Sequence, residues 1–496
     1  MKTPTSPRIG LTTLGITMKS NLLRGFILFA SLAALSEVRA QSAAVERLNR
    51  TNEAVAADNT TIQDSAMTMI NNPLNHDFGS ALNDPHGVVH DGKVYLFAGH
   101  DFSPDNPTFV MNDWWVWSSE NLLDWKLESV LDPKDTYLKR PLTSCWAPYG
   151  AFRHGKCYFY FSVGGAQGGV VVGDSVKGPW RDPLGRPLIP KGYDADLLKD
   201  DDGEYYMVYG VWNYHIARMN EDMISFAEEP RLITINNPRG PYNLDGNNKE
   251  RPTDDKPSLH KRNGIYYLSW SSFYAVSDSV YGPYEYRGTV IKPELLAPEY
   301  RKGNVWIDRH GNFFEFNNQW YYVVNDASQP GYKGVYRASV MTYLHFLDNG
   351  DMAPVRIDSL GVGQYNADGG RIEAENYFKA VRAEKRECPV GGFEMRSLTS
   401  GSELYYPNIH NIPANATLHV SLACGSAVDG AIEVRDGNPQ GRLLGVLPVL
   451  NTGGWDTFQT ATCTLNNEAG TSSLCFVVKT ERDQEVVRLD GFSLTK

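Results

Sequence analysis

Four things are scarce in this chain of 496 residues, and each closes off a class of structure or function. Basic charge is short: 47 Lys and Arg stand against 58 Asp and Glu, a net charge of −11. Nucleic-acid binding needs a basic surface, so that partner is excluded, whereas a neutral polysaccharide makes no charge demand. Long apolar runs are missing; the run Phe26–Leu35 is too short to span a membrane, and no other segment comes closer. Cysteines number six (Cys145, Cys157, Cys388, Cys424, Cys463 and Cys475), and their spacing fits no zinc motif. Disulfides within each group and buried free thiols both remain open for them. Helix signals are sparse everywhere, which leaves β structure to build the core.

The short apolar run has a different meaning. Lys19 and Arg24 flank it, and Val38-Arg39-Ala40 follows with small residues at the positions signal peptidase reads. The expectation is a cleaved export signal over 1–40, a leader or linker over 41–71, and a secreted or periplasmic protein.

What is abundant is aromatic: 12% of the chain, with 27 Tyr and 11 Trp. Such residues favour strands, and ordinary β-core packing accounts for most of them. One pattern recurs five times, a turn residue followed by a β-prone aromatic run. The copies are His90-Asp91-Gly92-Lys93-Val94-Tyr95-Leu96, Arg153-His154-Gly155-Lys156-Cys157-Tyr158-Phe159, Asp202-Gly203-Glu204-Tyr205-Tyr206-Met207, Arg262-Asn263-Gly264-Ile265-Tyr266-Tyr267-Leu268 and Asn317-Asn318-Gln319-Trp320-Tyr321-Tyr322. Each reads as a tight turn feeding a strand. They recur roughly every 50–60 residues, the length of one four-stranded blade with its loops. The spacing predicts an all-β chain with a five-bladed β-propeller over 72–360. Residues 361–370, rich in Gly, read as a linker. Short strand-like runs over 371–496, such as Ala416–Leu422 and Leu474–Lys479, predict a β-sandwich of jelly-roll type.

Glycosidic-bond chemistry needs two carboxyl groups on opposite sides of a sugar, one protonated and one ionised. Three acidic residues precede blade hairpins by similar distances: Asp84, Asp194 and Asp255. A lone carboxylate before a strand is more often a turn former; three at equivalent positions make a better case for a site.

These residues sit in motifs that resemble glycoside hydrolase family 43. The resemblance is carried by Asn83-Asp84-Pro85, Asp113-Trp114-Trp115-Val116-Trp117-Ser118-Ser119, Leu123-Asp124-Trp125, Trp146-Ala147-Pro148, Gly173-Asp174-Ser175-Val176-Lys177-Gly178-Pro179-Trp180, Ser277-Asp278-Ser279-Val280-Tyr281-Gly282-Pro283-Tyr284 and His310-Gly311 before Phe314-Glu315-Phe316. It runs in order through nearly all of 72–360. It implies an inverting mechanism with Asp84 as general base, Asp194 as the carboxylate that tunes and orients the acid, and Asp255 as general acid. The family's acid is normally Glu in a Glu-x-Pro turn; here the turn is Asp255-Lys256-Pro257. Asp is one methylene shorter, which places the proton about 1–1.5 Å further from the leaving oxygen unless the backbone shifts. Lys256, if turned inward, lowers the acid's pKa. Adaptation to another sugar, a different acid such as Glu250, or weakened activity are the alternatives, with Asp255 kept as the assigned acid. His310 matches a family histidine near the pocket floor that in relatives helps hold a central ion or water, and Trp146 matches a sugar-binding wall.

Residues 371–496 resemble a family 6 carbohydrate-binding module, through Arg371-Ile372-Glu373-Ala374-Glu375-Asn376-Tyr377, Thr452-Gly453-Gly454-Trp455-Asp456-Thr457-Phe458 and Leu489-Asp490-Gly491-Phe492. The resemblance implies a structural calcium on Glu373, Glu375 and Asp490 and a sugar platform at Trp455. It departs at Arg396-Ser397-Leu398, where a second aromatic is expected, and at Arg488, where the module usually has Asn. The combined expectation is an exported inverting glycosidase without a catalytic cofactor. Its substrate is a plant cell-wall polysaccharide or oligosaccharide, with α-L-arabinofuranosidase activity first and β-xylosidase second. The alternative is a weakened or non-catalytic carbohydrate-binding protein.

Overall fold

The computed structural model describes residues 71–74, 81–328, 335–425 and 430–496, all within one compact unit, Met69–Lys496. The expected export signal (1–40) and all of the leader except Asn71 lie outside the described residues.

The chain is all-β. Antiparallel strands form five successive sheets: Ala81–Leu131 with four strands, Cys145–Gly173 with three, Asp196–Leu232 with four, Pro257–Thr289 with four plus the parallel strand Ile235–Asn236, and Gly311–Leu344 with three. Turn chemistry explains the start of each. In four sheets the first hairpin is a two-residue turn whose central residues are both left-handed: Asp91 and Gly92 (φ 47° and 74°), His154 and Gly155 (51° and 70°), Asn263 and Gly264 (50° and 80°), and Asn317 and Asn318 (57° and 64°). Such turns match the twist of paired strands. The third hairpin has a longer loop, Asp200–Glu204, with Gly203 at φ 85°. All five hairpins read from the sequence are present.

The first strand of each sheet has the first strands of two other sheets as neighbours. Ala81–His90 lies against Cys145–Arg153 and Gly311–Phe316, Asp196–Lys199 lies between Cys145–Arg153 and Pro257–Arg262, and Pro257–Arg262 meets Gly311–Phe316. The close approach needs glycine at two points. An added Cβ would stand 2.6 Å from the Phe314 ring at Gly87 and 2.1 Å from the Phe97 ring at Gly150. Aromatic side chains fill the spaces between sheets. Phe97, Trp114, Phe159 and Phe161 pack between the first and second, and Tyr267, Tyr274, Phe313 and Tyr322 between the fourth and fifth. Each such burial contributes on the order of 2–3 kcal/mol. The ends of the region are tied together: the Asn72 side chain donates to Met341 and Asp358 carbonyls and accepts from the Met341 N–H.

The C-terminal region is a β-sandwich of two six-stranded sheets around one core that includes Tyr406, Phe476 and Phe492. Burial alternates along Thr417–Cys424, as expected of a strand with one face in that core. The Gly-rich stretch 361–370, read as a linker, is packed instead. Val362, Gln364 and Tyr365 are buried, and Tyr365–Asn366 pairs in parallel with Ile409–His410. Its glycines at 361, 363 and 370 serve left-handed turns, not freedom of movement.

The sandwich is bonded to the hairpin of the fifth sheet. Gln319 donates to the carbonyls of Glu375 and Tyr377, and Lys385 donates to Gln319. All six cysteines are free thiols, five buried and Cys463 half-buried. Cys145 and Cys157 sit on paired strands, but their register partners are Val163 and Phe152.

Candidate active site

The acidic residues singled out from sequence converge where the first strands begin. Backbone strain marks the place: Asp84 (φ 45°), Asp194 (55°), Lys256 (46°) and Asp308 (57°) are all left-handed non-glycine residues. Such conformations persist only where surroundings impose them, and they cluster at functional sites. Asp84 lies in a register break between Asn83 and His86, which turns its side chain out of the ladder.

Asp84 is almost fully buried, and its Oδ1 receives Asn325 Nδ2 at 2.8 Å and Arg337 Nη1 at 3.0 Å. His310 Nδ1 stands 2.9 Å from the same oxygen. Burial pushes this carboxyl up, but Arg337, then His310 and Lys256, outweigh it and hold it well below the ordinary range. The other nitrogen of His310, Nε2, is 2.5 Å from Asp255 Oδ1. His310 is therefore clamped between two carboxylates. Burial opposes its charge, yet Asp255 and Asp84 raise its pKa well above the usual value.

Asp255 keeps a third of its side chain exposed, so it faces open space. Burial pushes its pKa up, but His310 outweighs that and lowers it. Lys256 does turn inward, but not onto the acid. Its Nζ donates to the Asp84 carbonyl at 3.0 Å and the Pro148 carbonyl at 3.4 Å. The expected lowering at Asp255 is real, and its source is His310. Glu250, the alternative acid, is exposed on the loop 237–256. Asp194 is pushed up to about 8 by burial and then by the Asp255 charge, so it holds a proton at neutral pH. Trp146 is half-buried and faces Tyr193, next to Asp194, with ring centroids 6.0 Å apart.

Several participants were not singled out from the sequence. Arg337, 2% exposed, bonds Asp84, Asp308 and Asp101, and Asn325 holds both the backbone and side chain of Asp84. Asp308 is pushed up to about 6, by burial first. Asp196, inside the quoted Asp194 motif, joins three sheets through His86 Nε2 at 2.5 Å and the Leu259 N–H at 3.0 Å. None of these lies in the repeated hairpin pattern, and a buried Arg before a strand leaves no local signature.

Among the described residues, Asp84, Asp308 and His310 bring possible metal-ligand atoms within 4.8 Å of one another. Arg337 Nη1 already stands 3.0 Å from an oxygen of both carboxylates, so the set does not call for an ion. A cavity of about 300 Å³, lined by His86, Phe152, His260 and Trp320 among others, lies further along the same strands, away from Asp84 and Asp255.

The residues expected to hold calcium in the sandwich have other partners in this structure. Arg371 Nε is 2.7 Å from Glu373 Oε2 and its Nη2 is 2.7 Å from Asp490 Oδ2. Glu375 is buried, and burial pushes it up to about 8, so it is protonated at neutral pH. Calcium takes oxygen ligands, carboxylates among them; here a guanidinium already pairs with two of the three expected carboxylates. Trp455 is half-buried, with the Arg488 guanidinium 5.1 Å from its ring centroid. The residue that replaces Asn thus covers the expected platform.

The model of the glycosyl hydrolases of family 43 matches residues 70–351, and that of the family 6 carbohydrate-binding module matches residues 373–496. The chain belongs to glycosyl hydrolase family 43. It is a glycosidase with a carbohydrate-binding module of family 6 behind it. An arabinoxylan arabinofuranohydrolase of Paenibacillus polymyxa is 26% identical over 86% of this chain and 74% of its own length. A protein of the same name from Bacillus subtilis is 26% identical over 86% of this chain and 92% of its own. A xylosidase/arabinosidase of Bacteroides ovatus is 28% identical over 50% of this chain and 87% of its own. A solved Bacillus subtilis family 43 arabinoxylan arabinofuranohydrolase, in complex with cellotetraose, superposes with a TM-score of 0.50 over 86% of this chain and 98% of its own, at 23% identity, which speaks to fold alone. No helix among the described residues is long and apolar enough to cross a membrane.

Proposed function

We propose that this family 43 glycosidase is an inverting arabinofuranosidase or xylosidase acting on arabinoxylan-type polysaccharide, with α-L-arabinofuranosidase activity first. The five sheets are read as the blades of a five-bladed propeller over 72–360, the sandwich as a second domain over 371–496, and residues 1–40 as an export signal.

The observation that carries the mechanism is His310 with a carboxylate on each nitrogen. One imidazole and two short contacts hold the Asp84 and Asp255 oxygens within about 8 Å of each other, compatible with the separation of about 6.5–9.5 Å used by inverting pairs. Asp84, ionised, takes the proton of a water that attacks the anomeric carbon. Asp255 protonates the departing oxygen. Its proton comes from His310 Nε2: transfer across the existing hydrogen bond, whose N···O distance is 2.5 Å, turns an ion pair into a neutral acid and a neutral imidazole. Substrate that excludes water favours that neutral form. Asp194, protonated, tunes Asp255 by its position and adds no charge of its own.

The test is sugar release from arabinoxylan, arabinan and xylan by the protein beside its Asp84→Asn variant. Arabinose or xylose released only by the parent supports the reading; equal release by both sinks it. The lowered pKa of Asp255 favours a second reading, a weakened catalyst that chiefly binds glycans. Asp255→Glu separates the two. A gain of about tenfold or more in kcat indicates a working but shortened acid, and silence in both forms indicates binding.

A further inference from the structure

One cation on the loop before Asp255 has aromatic rings for partners and no carboxylate among the described residues. Arg251 is exposed, and its guanidinium makes no ion pair among the described residues. In a chain of net charge −11, most other arginines near the site are paired or buried. Arg251 is nevertheless held in place. Its Cζ lies 4.8 Å from the Trp212 ring centroid and 5.5 Å from that of Tyr242. Stacking on two aromatic rings fixes the plane of a guanidinium and leaves its N–H edge free.

The loop that carries Arg251 is built, not loose. Buried Asn243 donates to the carbonyls of Pro238 and Pro252 and accepts from the Asn248 N–H. The Asn248 side chain in turn accepts from the N–H groups of Glu250 and Arg251. The acidic residues of the loop do not neutralise it. Asp245 is bonded to Asn247, and Glu250 makes no ion pair.

The location matters. The Trp212 N–H donates to the Asp254 carbonyl at 2.9 Å, and Thr253 Oγ1 donates to the Trp212 carbonyl at 2.8 Å. The stack therefore abuts the turn that presents Asp255. Tyr242 (41% exposed) and Leu244 (52%) offer apolar surface on the same loop. In an inverting glycosidase the leaving group departs over the acid, so this rim faces the polymer and not the sugar being cleaved.

We propose that Arg251 recognises a carboxylate on the leaving-group side of the site, and that the polymer is one that carries uronic-acid substituents near the cleaved sugar. A planar guanidinium pairs with a carboxylate through two parallel hydrogen bonds, which a neutral sugar hydroxyl cannot match. The inference rests on the assignment of Asp255 as acid, and its test does not need turnover.

Binding is measured by calorimetry on the full chain with Asp84→Asn. The probes are two xylo-oligosaccharides of equal length, one neutral and one bearing a single glucuronic acid branch. The acidic probe is expected to bind about 5- to 10-fold more tightly. That preference disappears in Arg251→Gln, survives in part in Arg251→Lys, and shrinks as salt rises from about 0.05 to 0.5 M. Equal affinities, no binding of either probe, or a preference that persists in Arg251→Gln overturns it. Failure of the catalytic reading shows separately, as no sugar release from neutral arabinoxylan by the unmodified protein.

Discussion

Two arginines in this protein each tie carboxylates together, three at Arg337 and two at Arg371, and they do different work. Arg337, 2% exposed, ties Asp84 and Asp101 of the first sheet to Asp308 ahead of the fifth. Arg371, with 40% of its side chain exposed, ties Glu373 to Asp490 across the first and last strands of the sandwich. Distances are similar. The difference is solvent. In the centre a charge removed from water must find a partner, and leaving one unpaired is costly. At the sandwich surface water screens the same pairing to a small net value. The first cluster lowers the pKa of Asp84; the second joins two of the residues expected to hold calcium.

Breaking the central cluster should have the largest effects. Asp84→Asn is expected to lower kcat by more than about a thousandfold with unchanged circular dichroism. Arg337→Met leaves buried aspartates without their cation and should cost about 3–5 kcal/mol in a denaturant titration; a loss below about 1 kcal/mol would refute the contrast. Asp196 sharpens it through pH. Burial raises its pKa, but His86 and the bonds from Ser258 and Leu259 outweigh that and lower it from 3.8 to about 2. A depressed carboxylate stabilises the fold above its unfolded pKa and loses that contribution as pH falls through its folded value. Asp196→Asn should therefore cost about 2 kcal/mol at neutral pH, and the gap from wild type should close between about pH 4 and 2. The smallest effect belongs to the surface cluster. Arg371→Gln should change stability by no more than about 1 kcal/mol, and a chelator should leave the melting temperature of the wild-type chain unchanged. A drop reversed by calcium would restore the metal reading.

Much of the fold was legible because turn chemistry is local. Asp91-Gly92, His154-Gly155 and Asn263-Gly264 set their own left-handed turns whatever surrounds them. Asp84, Asp194 and Asp255 were legible through their place before those hairpins. The packing of residues 361–370 was not legible, because glycine content said nothing of where Val362 and Tyr365 would be buried. Nothing local showed that Arg371, the first residue of its motif, would pair with Asp490, 119 residues further along the chain.

The sequence by itself determined the hairpins, their spacing, the all-β character and the acidic residues at the head of three sheets. Those depend on backbone sterics and hydrogen bonds that reach only a few residues. Tertiary structure alone decided that Arg337 meets Asp84 from 253 residues away, that His310 stands between Asp84 and Asp255, that Lys256 bonds the Asp84 carbonyl, and that burial raises the pKa of Asp194. Charge in a protein takes its strength from burial and distance, and both are set only when the sheets have packed.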